Sequence, residues 1–239
     1  MAHQHQHGHQ HGHQHGHRDH DHEPTLEEQR EALTAEFWDE RYGGSERVWS
    51  GNPNRRLVEQ VADLPVGTAL DVGCGEGADA IWLAEQGWQV TAVDVSEVAL
   101  ERTARHAIEK GVDERVEVGF YDVLGERSPR KPHGRPGFDL VSAHFMHVPE
   151  PDFAGVYRRI AAAVAPGGRL LVVAHHPFDV ESGARESHGP GLLFGPDRVT
   201  DVLGTDDWEV EVAEVQPREQ ATPDGPMEVK DTVVRLRRR

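Results

Sequence analysis

From residue 68 onward, short apolar runs alternate with helical stretches, and this alternation restricts the chain to a small set of folds. "TALDV", "WQVTAVDV", "RVEVGFYDV", "FDLVSAHF" and "GRLLVVAH" read as strands. Helices fall between them: 77–86, then 96–110 with Ser96 as N-cap and Gly111 just past its end, then 151–165 opened by Pro151. Such alternation predicts a parallel sheet covered on both faces. The pattern then breaks. After a loop over 175–195 and a short helix near 197–203, "WEVEVAEVQ" and "KDTVVRLRR" are separated only by the turn-rich "PREQATPDGPMEV". Strands joined without a crossover helix must be antiparallel, because a parallel pair needs a connection that crosses the sheet.

Ahead of the sheet, "PTLEEQREALTAEFWDERY" predicts a helix: Thr25 and Glu28 form a capping box, and Leu33, Phe37 and Trp38 share an apolar face. Leu57, Val58, Val61 and Leu64 mark a second helix, ended by Pro65. Residues 1–23 offer no apolar face and predict a disordered tail, so 24–239 is expected to be one domain. The lone Cys74 forbids an internal disulfide and suits a reducing, cytoplasmic compartment. A net charge of −17 repels nucleic acid and anionic membranes, and no apolar run approaches the length of a membrane helix.

The turn between the first strand and its helix reads "VGCGEG". Gly73, Gly75 and Ala78 satisfy the G-x-G-x-x-G/A fingerprint for a dinucleotide pyrophosphate. Gly73, Gly75 and Gly77 also spell the tighter G-x-G-x-G of S-adenosylmethionine enzymes. A pyrophosphate here would meet Glu76; like charges about 4 Å apart cost on the order of 1 kcal/mol in water and several times more near a protein surface. A sulfonium and an ammonium would instead find Asp71 and Glu76 favourable. Asp94 closes the second strand, where a carboxylate can accept from both ribose hydroxyls, a device that nicotinamide enzymes share. Asp122 closes the third, within reach of an adenine amino group.

Together, "ALDVGCGEGADAIWLAEQGWQVTAVDVS", "YDV", "FDLVSAHFMH", "VAPGGRLLVV" and the closing strand pair resemble the class I S-adenosylmethionine-dependent methyltransferases over about residues 36–236. "FWDERYGG" and "VWSGNPN" resemble the thiopurine and tellurite-resistance type of small-molecule methyltransferase. The resemblance implies an α/β fold: a Rossmann-like, doubly wound, seven-stranded sheet with the last strand antiparallel. It implies that Asp71 orients the methionine amino group through water, and that Gly73, Gly75 and Gly77 let the backbone approach the methionine moiety. Asp94 would hold the ribose with Val95 beside the adenine, and Asp122 with Val123 would bind the adenine edge. Trp38 or Tyr42 would close over the cofactor from the N-terminal helices of residues 24–65, and His144 would lie near the methyl group.

Methyl transfer is an in-line displacement that needs a protein base only when the nucleophile arrives protonated. His144, ahead of His147, is the candidate base; satisfied structural histidines are the ordinary alternative. His175 and His176 share the same rim, and Cys74 reads as packing inside the turn. Trp49 either lines the acceptor pocket or packs the second helix, and the 175–195 loop is either a substrate lid or a surface excursion. In the tail, His3, His5, His7, His9, His11, His13, His15 and His17 have the density to chelate nickel or zinc. The expected activity is methyl transfer to a small molecule, a thiol or other soft nucleophile, leaving S-adenosylhomocysteine. The competing classes are a nicotinamide oxidoreductase and a metal-binding protein acting through the tail.

Overall fold

The computed structural model describes residues 24–185, 189, 191–222 and 225–239. Three short helices come first: α1 (Leu26–Glu31), α2 (Ala35–Gly43) and α3 (Arg55–Val61). The alternating core follows as β1 (Thr68–Val72), α4 (Ala78–Glu85), β2 (Gln89–Asp94), α5 (Glu97–Lys110), β3 (Val116–Phe120), β4 (Phe138–His144), α6 (Glu150–Ala161) and β5 (Val164–His175). Then come α7 (Phe178–Glu181), α8 (Asp197–Leu203), β6 (Trp208–Thr222) and β7 (Gly225–Arg238). None of the described helices is long and apolar enough to cross a membrane.

The strands form one seven-stranded sheet in the order β3-β2-β1-β4-β5-β7-β6. β1 to β5 run parallel, and β7 lies antiparallel between β5 and β6. This is the expected Rossmann-like architecture. From β1 the chain winds outward to β2 and β3 on one side and to β4 and β5 on the other. The C-terminal ends of β1 and β4 therefore flank the switch point, where open α/β sheets bind their ligands.

Period-two alternation sends neighbouring residues to opposite faces. Leu70, Val72, Val141, Leu170 and Val172 pack with Phe153, Tyr157 and Ile160 of α6. Ala69, Leu140, Leu171 and Val173 pack with Ala80 and Leu83 of α4 and with Leu57 and Val61 of α3. Burying a Leu, Val or Phe side chain contributes about 1.5–3 kcal/mol, so both faces are needed to hold the sheet.

Several boundaries differ from expectation. The first helix breaks at 32–34, because the Thr34 side chain accepts from Phe37 N and starts a new helix. The helix begun near Pro151 stops at Ala161, and β5 starts at Val164 through a register shift opposite Phe138 and Leu140. In the turn-rich stretch before the last strand, residues 217–222 and 225–229 are strand. Pro217 lies on β6, the sheet edge, where a missing N–H costs no ladder bond. Helix α7 interrupts the expected 175–195 loop.

The N-terminal segment is tied across the strand ends. Arg30 pairs with Asp152 at 2.7 Å, Ser96 Oγ donates to Asp39 at 2.5 Å, and Asn54 N donates to Asp79 at 2.5 Å. Buried Arg56 donates to Asp231 of β7 at 3.1 Å and to the carbonyls of Gln216 and Pro217.

Candidate active site

The turn after β1 is clamped to β2: Gly73 N and Cys74 N both donate to Val93 O, at 2.8 and 3.0 Å. Gly73, Gly75 and Gly77 all have positive φ, at 72°, 55° and 84°. Their surroundings differ. A Cβ on Gly77 would lie 2.7 Å from the Thr103 methyl, so that glycine serves helix packing. One on Gly75 would lie 2.9 Å from the Tyr42 hydroxyl. Gly73 has no heavy atom within 4 Å of its Cβ position, which leaves room for a ligand against the backbone.

Beside it Asp71 is 3% exposed. Ser142 Oγ donates to its Oδ1 at 3.1 Å, while the buried Oδ2 has no partner. Burial, with Asp79 nearby, pushes the Asp71 carboxyl up to about 7. An ammonium would satisfy Oδ2 and reverse that penalty, so the residue fits the methionine end of the expected cofactor. Asp71, Asp79 and His144 bring their polar atoms within 4.8 Å of one another. His144 Nδ1 lies 2.7 Å from Asp79 Oδ2, and its buried Nε2 has no partner. Asp79 was not anticipated from the sequence. An acid in the first turn of a helix reads as a partner of the helix dipole, and only the fold brings it to His144.

Asp94 accepts from Gly75 N at 2.9 Å and from Ser96 N at 3.0 Å, and burial raises its carboxyl above the ordinary value. Each oxygen retains a lone pair for a ribose hydroxyl. Val95 is half-buried next to it. Tyr121 N donates to Asp94 O, which sets Asp122 one residue beyond the junction of β2 and β3. Asp122 Oδ1 accepts from Leu124 N at 2.8 Å, so the carboxylate also caps its own turn. Val123 is buried, and its carbonyl accepts from Arg159.

Glu76 corrects an expectation. Its Oε2 accepts from Val48 N and Trp49 N, at 3.1 and 2.9 Å, and Arg102 donates to its Oε1 at 2.8 Å. Burial pushes its carboxyl up, but the Trp49 N–H, the Arg102 guanidinium and the Val48 N–H outweigh this and hold it below the ordinary value. Its charge is matched inside the protein and docks residues 48–49, so it does not decide which ligand the turn holds. Arg102, which also reaches the carbonyls of Tyr42 and Ser45, carried no sequence signal. Tyr42 is buried and accepts from Trp49 Nε1 at 3.0 Å. Trp38 packs 5.6 Å from the Tyr42 ring while its Nε1 donates to Ala32 O, so Tyr42 stands nearer the glycine turn.

At the end of β4 the chain turns sharply. Phe145 adopts φ 51°, a strained value for a non-glycine residue, and its N–H donates to Val173 O. Its ring stacks on His175 at 4.3 Å, and the His147 ring lies 5.5 Å from His175. His144 and His147 thus belong to different neighbourhoods. His176 Nδ1 accepts from Phe178 N, and Cys74 is half-buried against Thr103. The tail histidines, His3 to His17, lie outside the described residues.

The methyltransferase domain family matches residues 69–168. The ubiquinone biosynthesis O-methyltransferase of Alkalilimnicola ehrlichii is 32% identical over 196 residues, 80% of this chain and 72% of that protein. Its counterpart from Marinobacter nauticus is 32% identical over 145 residues, 59% of this chain and 58% of that protein, so the chain spans under two thirds of that relative. Among solved structures, the Burkholderia thailandensis 1,6-didemethyltoxoflavin-N1-methyltransferase with bound 1,6-didemethyltoxoflavin and S-adenosylhomocysteine superposes with a TM-score of 0.61. The identity is 22%, with 87% of this chain and 88% of that one covered, and the likeness is one of fold.

Proposed function

The chain belongs to the class I S-adenosylmethionine-dependent methyltransferases, and from that premise we propose that it transfers the sulfonium methyl group of S-adenosylmethionine to a small-molecule nucleophile. The observation that carries this reading is the open face of Gly73 beside the unpartnered Asp71 Oδ2, at the switch point of the sheet. The bound cofactor supplies an electrophilic methyl group and a thioether leaving group, with S-adenosylhomocysteine as product.

The chain's own residues bind, orient and exclude water. Asp71 takes the ammonium, and Gly73 lets the methionine moiety lie against the backbone. Asp94 holds the ribose hydroxyls, and Val95, Asp122 and Val123 line the adenine. The helices of residues 24–65 cover the site, with Tyr42 nearest the turn and Trp38 behind it. The net charge of −17 supports a small-molecule partner over a polyanion, and the single cysteine supports a cytoplasmic setting.

The acceptor side is the rim of Phe145, His147 and His175. Flat rings at this edge favour a planar acceptor bearing an ionisable S–H or O–H group. The relatives' name, O-methyltransferase, supports the oxygen case. Where the acceptor arrives protonated, His147 is the better base. His144 is committed to Asp79 through Nδ1.

Labelled methyl transfer to a panel of thiols, phenols, alcohols, amines, halides and chalcogen oxyanions tests the proposal. Turnover of a thiol or phenol is the expected outcome. A protein that binds S-adenosylhomocysteine yet methylates none of them would refute the acceptor class.

A further inference from the structure

Ten of the chain's 17 histidines fall within its first 22 residues, a concentration that methyl transfer does not use. From His5 to Gly16 the sequence repeats His-Gln-His-Gly three times, with His3 before the repeats and His17, His20 and His22 after them. These residues lie outside the described ones, and covalent geometry and ligand chemistry set what they can hold. Consecutive Cα atoms are about 3.8 Å apart, so histidines two positions apart are separated by no more than about 7 Å. The glycine closing each repeat accepts either sign of φ, which lets the chain bend between one pair of imidazoles and the next. Two imidazoles from one repeat can therefore share an ion with two from its neighbour. Imidazole nitrogen suits nickel(II), copper(II) and zinc(II), whereas magnesium and calcium take carboxylate, carbonyl and water oxygens. The repeats contain no carboxylate and no thiol.

The folded part offers no equal alternative. Among the described residues, Asp71, Asp79 and His144 have ligand atoms within 4.8 Å of one another. His144 Nδ1 is engaged by Asp79 Oδ2 at 2.7 Å, and the cofactor reading assigns Asp71 to an ammonium. Cys74, the single thiol, is half-buried in the glycine turn. The tail meets the fold at a pinned point: Gln29 Nε2 donates to Pro24 O at 3.1 Å, Thr25 and Glu28 cap α1, and Arg30 pairs with Asp152 of α6. Chelation upstream of Pro24 uses none of these groups. We infer that residues 3–22 form a binding site for divalent transition-metal ions, filled by imidazole nitrogens and separate from the methyl-transfer site. At about four imidazoles per ion, the ten histidines hold about two ions. Neither site needs the other.

Calorimetry on the full chain at neutral pH, with nickel(II) chloride and separately with magnesium chloride, reads the site. About two nickel ions bind per chain, and magnesium does not bind. His→Asn at all ten tail positions lowers nickel affinity by at least about a hundredfold, because chelation makes every imidazole after the first an intramolecular ligand. His9→Asn, His11→Asn, His13→Asn and His15→Asn together remove the middle of the array and lower the stoichiometry by about one ion. His144→Leu keeps nickel affinity within about twofold, and added nickel keeps S-adenosylhomocysteine affinity within about twofold. Nickel binding that survives loss of the ten histidines, that is lost with His144, or that displaces S-adenosylhomocysteine would overturn the tail site and put the ion at Asp71 and Asp79. An unaltered chain that binds no nickel would overturn it outright. Failure of the unaltered protein to bind S-adenosylhomocysteine contradicts the cofactor reading instead.

Discussion

Gly73 and Gly77 share one turn and one sign of φ but answer to different constraints. A side chain at either costs about 1–2 kcal/mol of left-handed backbone strain. Gly77→Ala also drives a methyl into Thr103, for a total of about 3 kcal/mol, read as a lowered thermal midpoint. Gly73→Ala meets no neighbour, so it is expected to lose little further stability but at least about tenfold in S-adenosylhomocysteine affinity, because its methyl enters the ligand's space. Measuring both quantities on both variants checks the assignment. Asp71 supplies a pH test. Its raised carboxyl, at about 7, keeps in the folded protein a proton that the unfolded chain releases near 4. That contribution to stability is complete below about pH 4 and is lost as pH rises through about 7. Thermal unfolding of ligand-free protein across this range should show the decline, and Asp71→Asn should flatten it. Of these residues, the glycines and strand-end acids stood out in the sequence because their spacing is local. Asp79, Asn54 and Arg102 did not, since each acts through a partner at least 25 positions away.

Among elements, the N-terminal helices are the ones whose role depends on docking. Removing one partner of a buried ion pair costs about 3–5 kcal/mol, so Arg102→Met, which strands Glu76, is expected to release residues 43–50 before the sheet unfolds. Limited proteolysis should then cut within this segment, with the hydrogen exchange of β1 and β4 unchanged; uniform loss of protection would show that Arg102 supports the whole domain. Asp231→Ala tests the opposite margin. It strands Arg56 and Arg218, and a loss of about 3 kcal/mol with loosened packing between α3 and the β6–β7 hairpin is expected. Element types were largely legible and their limits less so. "PREQATPDGPMEV" carries turn residues, yet β6 continues through Pro217 because an edge strand needs no N–H there. The split at Thr34 depended on one side-chain cap inside an otherwise continuous helical pattern.

At the scale of the molecule, the parallel sheet of β1 to β5 and the antiparallel pairing of β6 with β7 followed from the alternation and from the final connection, which lacks a crossover helix; the doubly wound layout with the last strand antiparallel was what the family resemblance implied. The ligand was less legible. Glu76 favoured a cation only while its partners were unknown, and Arg102 cancels it. What survives is the conjunction of open Gly73, unsatisfied Asp71 and family membership. A ligand held across these strand ends stabilises the whole fold. At a hundredfold excess over Kd the gain is about 2.7 kcal/mol, a rise of about 5–10 °C in thermal midpoint for a domain of this size. The most direct test is calorimetric titration of the full chain with S-adenosylhomocysteine and, separately, with NADH. The expected result is saturable one-to-one binding of S-adenosylhomocysteine and none of NADH; NADH binding without S-adenosylhomocysteine binding would contradict the account.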